Sequence, residues 1–224
     1  IEVAPKLGVK KIVTFSGCPG DGKGDMPNWV TCAWPNEYRD VLEYQWNEVL
    51  IPYWKKYAQR AKDNGVQICF EMHPGFCVYN PETLLKLRAA AGDALGANLD
   101  PSHLLWQGID IVSAIRYLGK ALFYFHAKDT ALDRENVARN GVLDSKPYEN
   151  EAERSWIFRT VGYGSDEKFW KDVISALRIA GYDDYLSIEH EDSLMTQTEG
   201  LDKAIEFMQR VMIREPRTNG LWWV

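Results

Sequence analysis

The chain has 224 residues, 46% hydrophobic and 26% charged, which is the make-up of a soluble globular protein with room for one substantial core. Its 26 basic and 32 acidic side chains give a net charge of −6 with no cationic stripe, arguing against wide contact with nucleic acid phosphates. No apolar stretch approaches the roughly 18 residues needed to cross a bilayer, so no membrane partner is expected.

Taken in order, residues 1–9 read as the tail of a helix closed by Gly8, followed by a first strand from Lys10 to Gly17. No signal-like segment precedes that strand, and the chain starts at Ile1, so targeting is not readable. Cys18 to Tyr38 holds Gly, Pro and Asn with Trp29, Trp34 and Tyr38, which predicts a long, aromatic-lined loop. Leu42, Trp46, Val49, Tyr53, Tyr57 and Ala61 recur at helical spacing, so Arg39 to Asn64 is expected to be helical, with Pro52 kinking it or opening a second helix. Gly65 closes that helix, and a strand follows, ending at Glu71. Asn80-Pro81-Glu82 is an N-cap followed by proline in the first turn, predicting a helix to about Ala91.

The run Leu95 to Leu99 then delivers Asp100, Pro101 stops the strand, and His103 follows. Asp110 to Leu118 is the next helix, and Leu122 to Asp129 carries a strand ending in His126. Thr130 to Gly164 is a polar excursion of the kind that forms lids or binding loops. Asp166 to Ala180 is helical, Tyr185 to Glu191 a strand, and Glu199 to Arg214 the last helix. The tail 216–224 ends Leu221-Trp222-Trp223-Val224, too apolar to dangle, and is expected to dock on the protein or on a neighbouring subunit. The four cysteines, Cys18, Cys32, Cys69 and Cys77, form no C-x-x-C pair and read as reduced thiols in a cytoplasmic protein.

Five strand-helix units with short, apolar strands predict an α/β fold with a parallel sheet. In such sheets ligands bind beyond the carboxyl ends of the strands, where Glu71, Asp100, His126 and Glu189 all fall. Period-two alternation puts Cys69, Glu71 and His73 on one face of their strand, and Ser187, Glu189 and Glu191 on one face of the last. Three carboxylates and an imidazole turned inward together repel and are poorly solvated unless neutralised, and a divalent cation is the simplest neutraliser. A mainly oxygen-donor set with one nitrogen suits Mn²⁺, Mg²⁺ or Co²⁺, with Zn²⁺ admissible. Lys128 and Asp129 are placed to support His126.

Phe70-Glu71-Met72-His73-Pro74-Gly75, Asn98-Leu99-Asp100-Pro101-Ser102-His103, Phe125-His126-Ala127-Lys128-Asp129 and Ile188-Glu189-His190-Glu191-Asp192 together resemble the xylose-isomerase-like TIM barrels, the sugar phosphate isomerases/epimerases. The resemblance runs from Lys10 to about Glu215. It implies a single (β/α)8 barrel domain over 1–224, represented here by strands four to eight. About three strand-helix units, roughly 100 residues, are then expected to be missing at the N-terminal side. It also implies one divalent metal, Mn²⁺ above the others, held by Glu71, Asp100, His126 and Glu189. Glu71 and Glu189 would then shuttle the proton of a sugar or sugar phosphate through an enediolate, with His103 contacting substrate. Glu191 shares Glu189's face and is an alternative ligand.

His73, Arg159, Lys128 and Trp34 are further candidates for substrate contact, Arg159 because it abuts the glycine turn Thr160 to Gly164 and an arginine there suits a phosphate or acidic sugar. Trp29, Trp34, Trp106 and Trp156 fall at the same rim, to stack on a sugar ring or to cover the barrel mouth. His190 points away from the site by alternation. Gly17-Cys18-Pro19-Gly20-Asp21-Gly22-Lys23-Gly24 nearly fits the phosphate loop G-x-x-x-x-G-K-S/T, but Gly24 replaces the hydroxyl and no helix follows. Beside the isomerase or epimerase stand three alternatives: a lyase of the same fold that cleaves oxidised glycosides, an endonuclease IV-like nuclease, and a non-catalytic binding subunit. The nuclease needs more histidines and a basic surface than four His and a charge of −6 provide. The partner expected is a small-molecule sugar, with self-association into a homo-oligomer as a further expectation.

Overall fold

The structure is a computed structural model that describes residues 1–216 and Trp223. Five strands, β1 (Lys11–Thr14), β2 (Gln67–Glu71), β3 (Leu95–Leu99), β4 (Leu122–Ala127) and β7 (Leu186–Ile188), form one wholly parallel sheet in the order β1-β2-β3-β4-β7. Helices α1 (Glu37–Glu43), α2 (Ile51–Asp63), α3 (Pro81–Ala91), α5 (Ile111–Leu118), α7 (Glu167–Ile179) and α8 (Gln197–Val211) intervene, so the sheet and its helices make an incomplete (β/α)8 barrel. At the amino ends of the strands the Lys11 ammonium donates to the Phe123 carbonyl at 2.6 Å and pairs with Asp184, just before β7. These contacts bridge β1 to β4 and to the segment leading into β7.

Alternation within the strands decides what faces where. Ile68, Phe70, Leu95, Ala97, Leu99, Phe125 and Ala127 pack in the main core with Leu84, Leu87, Ile115, Trp170 and Val173 from the helices. The opposite, concave face carries Cys69 and Glu71, then Gly96 and Asn98, then Tyr124 and His126, then Ser187. Tyr124 and Ser187 join across it, hydroxyl to hydroxyl, at 2.5 Å. Gly96 has no room for a side chain there, because a Cβ would lie 2.3 Å from the Phe123 ring.

Several elements follow the sequence closely. Asn80 caps α3 through a reciprocal pair of bonds with Thr83, Asp166 caps α7, and Gly8 closes a short 3-10 turn with φ of 72°. Pro52 sits in the first turn of α2, and the chain reaches it through π-helical turns, Tyr44–Leu50, that continue α1. A proline has no N–H to give to an upstream carbonyl, and the wider turns ahead of it accommodate the missing donor.

The polar excursion after Asp129 differs from the loop expected. It holds β5 (Asp129–Leu132) and β6 (Trp156–Arg159), paired antiparallel, with α6 (Arg134–Asn140) between them. Trp156 and Phe158 are buried while Ile157 and Arg159 are less so, a period-two signal in an arm too short to stand out. Helix α4 (Pro101–Leu105) is also additional, and begins at Asp100, whose carboxylate accepts from the Ser102 amide at 2.8 Å. The docking tail expected over 216–224 falls almost wholly outside the described residues. No described helix is long and apolar enough to cross a membrane.

Candidate metal and substrate site

The carboxyl ends of β2, β3, β4 and β7 converge. Glu71 is the last residue of β2, Asp100 follows β3, His126 is the fifth residue of β4, and Glu189 follows β7. One ligand atom from each lies within 4.8 Å of all the others, so these four could hold a metal ion. His126 Nδ1 stands between the two glutamates, 3.0 Å from Glu71 Oε2 and 3.1 Å from Glu189 Oε2. Asp100 is buried, its Oδ1 is taken by its own helix, and its Oδ2 has no hydrogen-bond partner among the described residues. A buried carboxylate oxygen without a hydrogen bond is costly, the longer contacts to His103 and Lys128 at 3.4 and 3.7 Å offset this in part, and a cation bound between these residues removes the rest, so the donor set and its geometry fit a divalent metal.

Burial opposes ionisation of Glu71, but hydrogen bonds and charge from His103 and His126 outweigh it and hold the carboxyl well below its usual range. Burial likewise opposes charging of His126, while Glu189 and Glu71 together push its pKa up to about 9. Asp100 moves the other way, up to about 6, chiefly because it is buried. The hydrogen bond from His126 lowers Glu189.

Neighbouring groups complete the network. His103 Nε2 lies 3.3 Å from Glu71 Oε1 and 3.4 Å from Asp100 Oδ2. Lys128, only 1% exposed, places Nζ 3.7 Å from Asp100 Oδ2, 3.6 Å from Glu189 Oε2 and 2.5 Å from Glu191 Oε2, and 4.4 Å above the Phe158 ring. His73 stacks obliquely on His103 with centroids 3.9 Å apart. Its Nδ1 donates to the Pro74 carbonyl at 2.6 Å, which leaves Nε2 as an acceptor. Burial, then the His103 charge, lower its pKa.

The sequence candidates divide accordingly. Glu71, Asp100, His126, Glu189, His103, His73 and Lys128 come together. Glu191 stands aside from the four-residue cluster, its half-exposed carboxylate engaged by Lys128. Arg159 donates to Asp192 Oδ2 at 3.0 Å, so its charge is already partnered within the protein. Trp34 is 79% exposed and lines neither of the two cavities beside the cluster. Asp129 supports the glycine turn and Trp170, not His126: its carboxylate accepts from the amides of Gly162, Gly164 and Ser165 and from Trp170 Nε1. His190 packs against α8, where a Cβ on Gly200 would meet its ring at 1.9 Å. The phosphate-loop look-alike is filled by its own Asp21, which accepts from the amides of Lys23, Gly24 and Asp25.

Asn98 was not among the sequence candidates. It is fully buried and its amide donates to Glu71 Oε2 at 2.9 Å, fixing that carboxylate. The signal was present: Asn98 lies two residues before Asp100, on the same strand face. Two cavities flank the cluster, of about 530 Å³ and about 450 Å³, and they share His73, Tyr148 and Phe158.

Comparison with known proteins bears on the fold and family. The family model of the xylose isomerase-like TIM barrel matches residues 1–211. The uncharacterized protein YfiH of Bacillus subtilis is 42% identical over 216 residues, which is 95% of this chain and 69% of that protein. Among solved structures, the IOLI protein with a bound zinc atom superposes with a TM-score of 0.60 at 21% identity, over 94% of this chain and 65% of that one. A D-tagatose 3-epimerase-like protein gives 0.59 at 19% identity, over 94% and 66%. The chain therefore spans just under two thirds of each of these two structures, and at such identities the likeness is one of fold.

Proposed function

The chain belongs to the xylose isomerase-like TIM barrel family, and on that premise we propose that it is a divalent-metal-dependent isomerase or epimerase acting on a sugar. The observation that carries the reading is the four-residue cluster at the carboxyl ends of adjacent strands, with the orphaned oxygen of Asp100 inside it.

Glu71, Asp100, His126 and Glu189 would hold the cation, with Mn²⁺ the best match to the donor set and Mg²⁺, Co²⁺ and Zn²⁺ also suited. When bound, such an ion polarises a carbonyl and its neighbouring hydroxyl as a Lewis acid and so acidifies the carbon beside them. The remaining work falls to the chain's own residues. Glu189, about one third exposed and kept ionised by His126, is the carboxylate best placed to accept that proton from a substrate in the cleft. Return of that proton by Glu189 to the neighbouring carbon completes an isomerisation; epimerisation needs Glu71, clamped by Asn98 and His103, to take a proton from solvent and deliver it to the other face while Glu189 releases its own to solvent. His103 and Lys128 keep the carboxylates oriented, and Lys128 draws Glu191 out of the cluster. His73 Nε2 remains free to accept a substrate hydroxyl.

Metal content per chain, measured after purification without chelator on the protein and on Glu71→Gln, tests the site. About one ion per chain, lost in the variant, followed by solvent-deuterium incorporation into a ketose, is the expected result. A folded protein that takes up no metal from added Mn²⁺ refutes the reading.

A further inference from the structure

Resting on that reading, we infer that the substrate is an unphosphorylated sugar carrying a second ring, and that the aromatic cavity beside His103 is the subsite for that ring. The cavity has a volume of about 450 Å³, within the usual range for small-molecule sites, and opens beside the cluster at His73 and His103. Its walls are Trp29, Trp106, Tyr148, Trp156 and Phe158. Trp106 and Trp156 stack 4.8 Å apart within 3° of parallel, and Phe158 meets His103 edge-on at 5.4 Å. The aromatic floor is thus continuous with the histidine that touches Glu71 and Asp100. Flat aromatic faces of this kind hold the apolar face of a ring.

Two buried donors await an acceptor. The indole N–H groups of Trp29 and Trp106 have no hydrogen-bond partner among the described residues, and Trp106 is only 7% exposed. Both are closed to solvent, so the acceptor must arrive with a ligand that parts the outer wall, where Trp29 is partly exposed and Tyr148 is 52% exposed. A ring hydroxyl or a glycosidic oxygen supplies such an acceptor.

The charges argue against a phosphate. Neither cavity beside the cluster is lined by a lysine or arginine among the described residues. The nearby cations are committed: Lys128 to carboxylates, Arg159 to Asp192, and Arg154, buried beneath Tyr148 and Trp156, to the Trp156 and Lys146 carbonyls. Carboxylates of Glu191, Asp192 and Asp144 line the same two cavities. A phosphate dianion entering there would find no uncommitted lysine or arginine, only carboxylates already paired with Lys128, Arg159 and Lys146.

The test is tryptophan fluorescence titration of the full chain, with and without Mn²⁺, using phenyl β-D-glucopyranoside, methyl β-D-glucopyranoside, glucose and glucose 6-phosphate. The phenyl glycoside is expected to bind about ten-fold more tightly than the methyl glycoside, and glucose 6-phosphate no more tightly than glucose. Trp29→Ala and Tyr148→Ala should each remove most of the phenyl preference. Tyr148 is half exposed, so its truncation leaves the fold intact if Trp29→Ala does not. Equal binding of the two glycosides, no binding of the phenyl glycoside at millimolar concentration, a preference that survives both variants, or tighter binding of the phosphate each overturns the inference. A phenyl preference retained in a protein that takes up no metal would sink the isomerase reading alone. Metal and proton exchange without a phenyl preference would sink the second-ring subsite alone.

Discussion

Replacing Asp129 with asparagine should destabilise the fold while leaving the metal site undisturbed. Oδ2 of Asp129 accepts from Gly162, Gly164, Ser165 and Trp170 Nε1 at 2.9 to 3.3 Å, and Oδ1 accepts from the Thr130 amide and the Ser165 hydroxyl, both at 2.9 Å. An asparagine must turn its NH₂ to one side. Facing the Oδ2 partners it would oppose four N–H groups, so the cheaper choice is the Oδ1 side, where the Ser165 hydroxyl can rotate to accept. The Thr130 amide is then stranded, at about 1–3 kcal/mol, and the four bonds left on the other oxygen lose their charged acceptor. Relief of the buried charge offsets part of this, leaving a net loss of about 2–4 kcal/mol. Urea unfolding should therefore shift its midpoint by roughly 1–2 M with an unchanged slope, while metal content stays at the level of the parent. A shift within about 0.5 kcal/mol would refute the anchoring role. Loss of metal with stability intact would instead restore the sequence expectation that Asp129 supports His126.

Two further predictions concern the charges around the cluster. Lys128→Met removes the ammonium from between Asp100, Glu189 and Glu191, so the metal-free variant should lose about 2–3 kcal/mol in thermal unfolding, less than for a fully buried pair because the glutamates reach solvent. Added Mn²⁺ should raise its melting temperature by more than it raises that of the parent, and an equal rise refutes the electrostatic account. A metal needs neutral His126, whose pKa is pushed up to about 9 by the two glutamates, so each ion bound at neutral pH displaces a proton. Apparent affinity should then climb about ten-fold per pH unit from pH 7 towards 9, with about one proton released per ion in calorimetry across buffers of different ionisation enthalpy. A flat profile over that window would show that His126 is not a ligand.

What the sequence made legible was what depends on strand periodicity. Glu71, Asp100, His126 and Glu189 follow apolar runs whose alternation sets the facing side, and a parallel sheet puts the ends of such runs on one rim. Alternation holds only while a strand lasts. β7 ends at Ile188, so counting onward could not separate Glu189 from Glu191, and it is the remote ammonium of Lys128 that draws Glu191 aside. The partner of Arg159 was out of reach for a similar reason, because Asp192 lies 33 residues away in sequence. The β5–β6 pair escaped notice because each arm is four residues long and carries Asp129, Thr130 and Arg159 among its apolar positions. Nothing in local sequence distinguishes Trp34, which stays exposed, from Trp106, which is buried against Trp156.

That short antiparallel pair changes how the excursion after β4 acts. A loop held away from the cluster would gate access without touching the reacting groups. Phe158 of β6 instead lies against His103 and beneath the Lys128 ammonium, so the inserted segment supplies part of the site wall. Asp129 at the start of β5 clamps the glycine turn after β6, and Asp192 beyond β7 holds both Arg159 and the Thr160 amide. The inserted pair is thus fastened at both ends to elements that follow metal-site strands. Movement of its aromatic face to admit a ring would press directly on His103 and Lys128, the two side chains that orient Glu71, Asp100 and Glu189. On the proposed function, recognition of the distant part of a substrate and alignment of the carboxylates would share one set of contacts, which is the arrangement by which remote binding energy raises a chemical rate and not affinity alone.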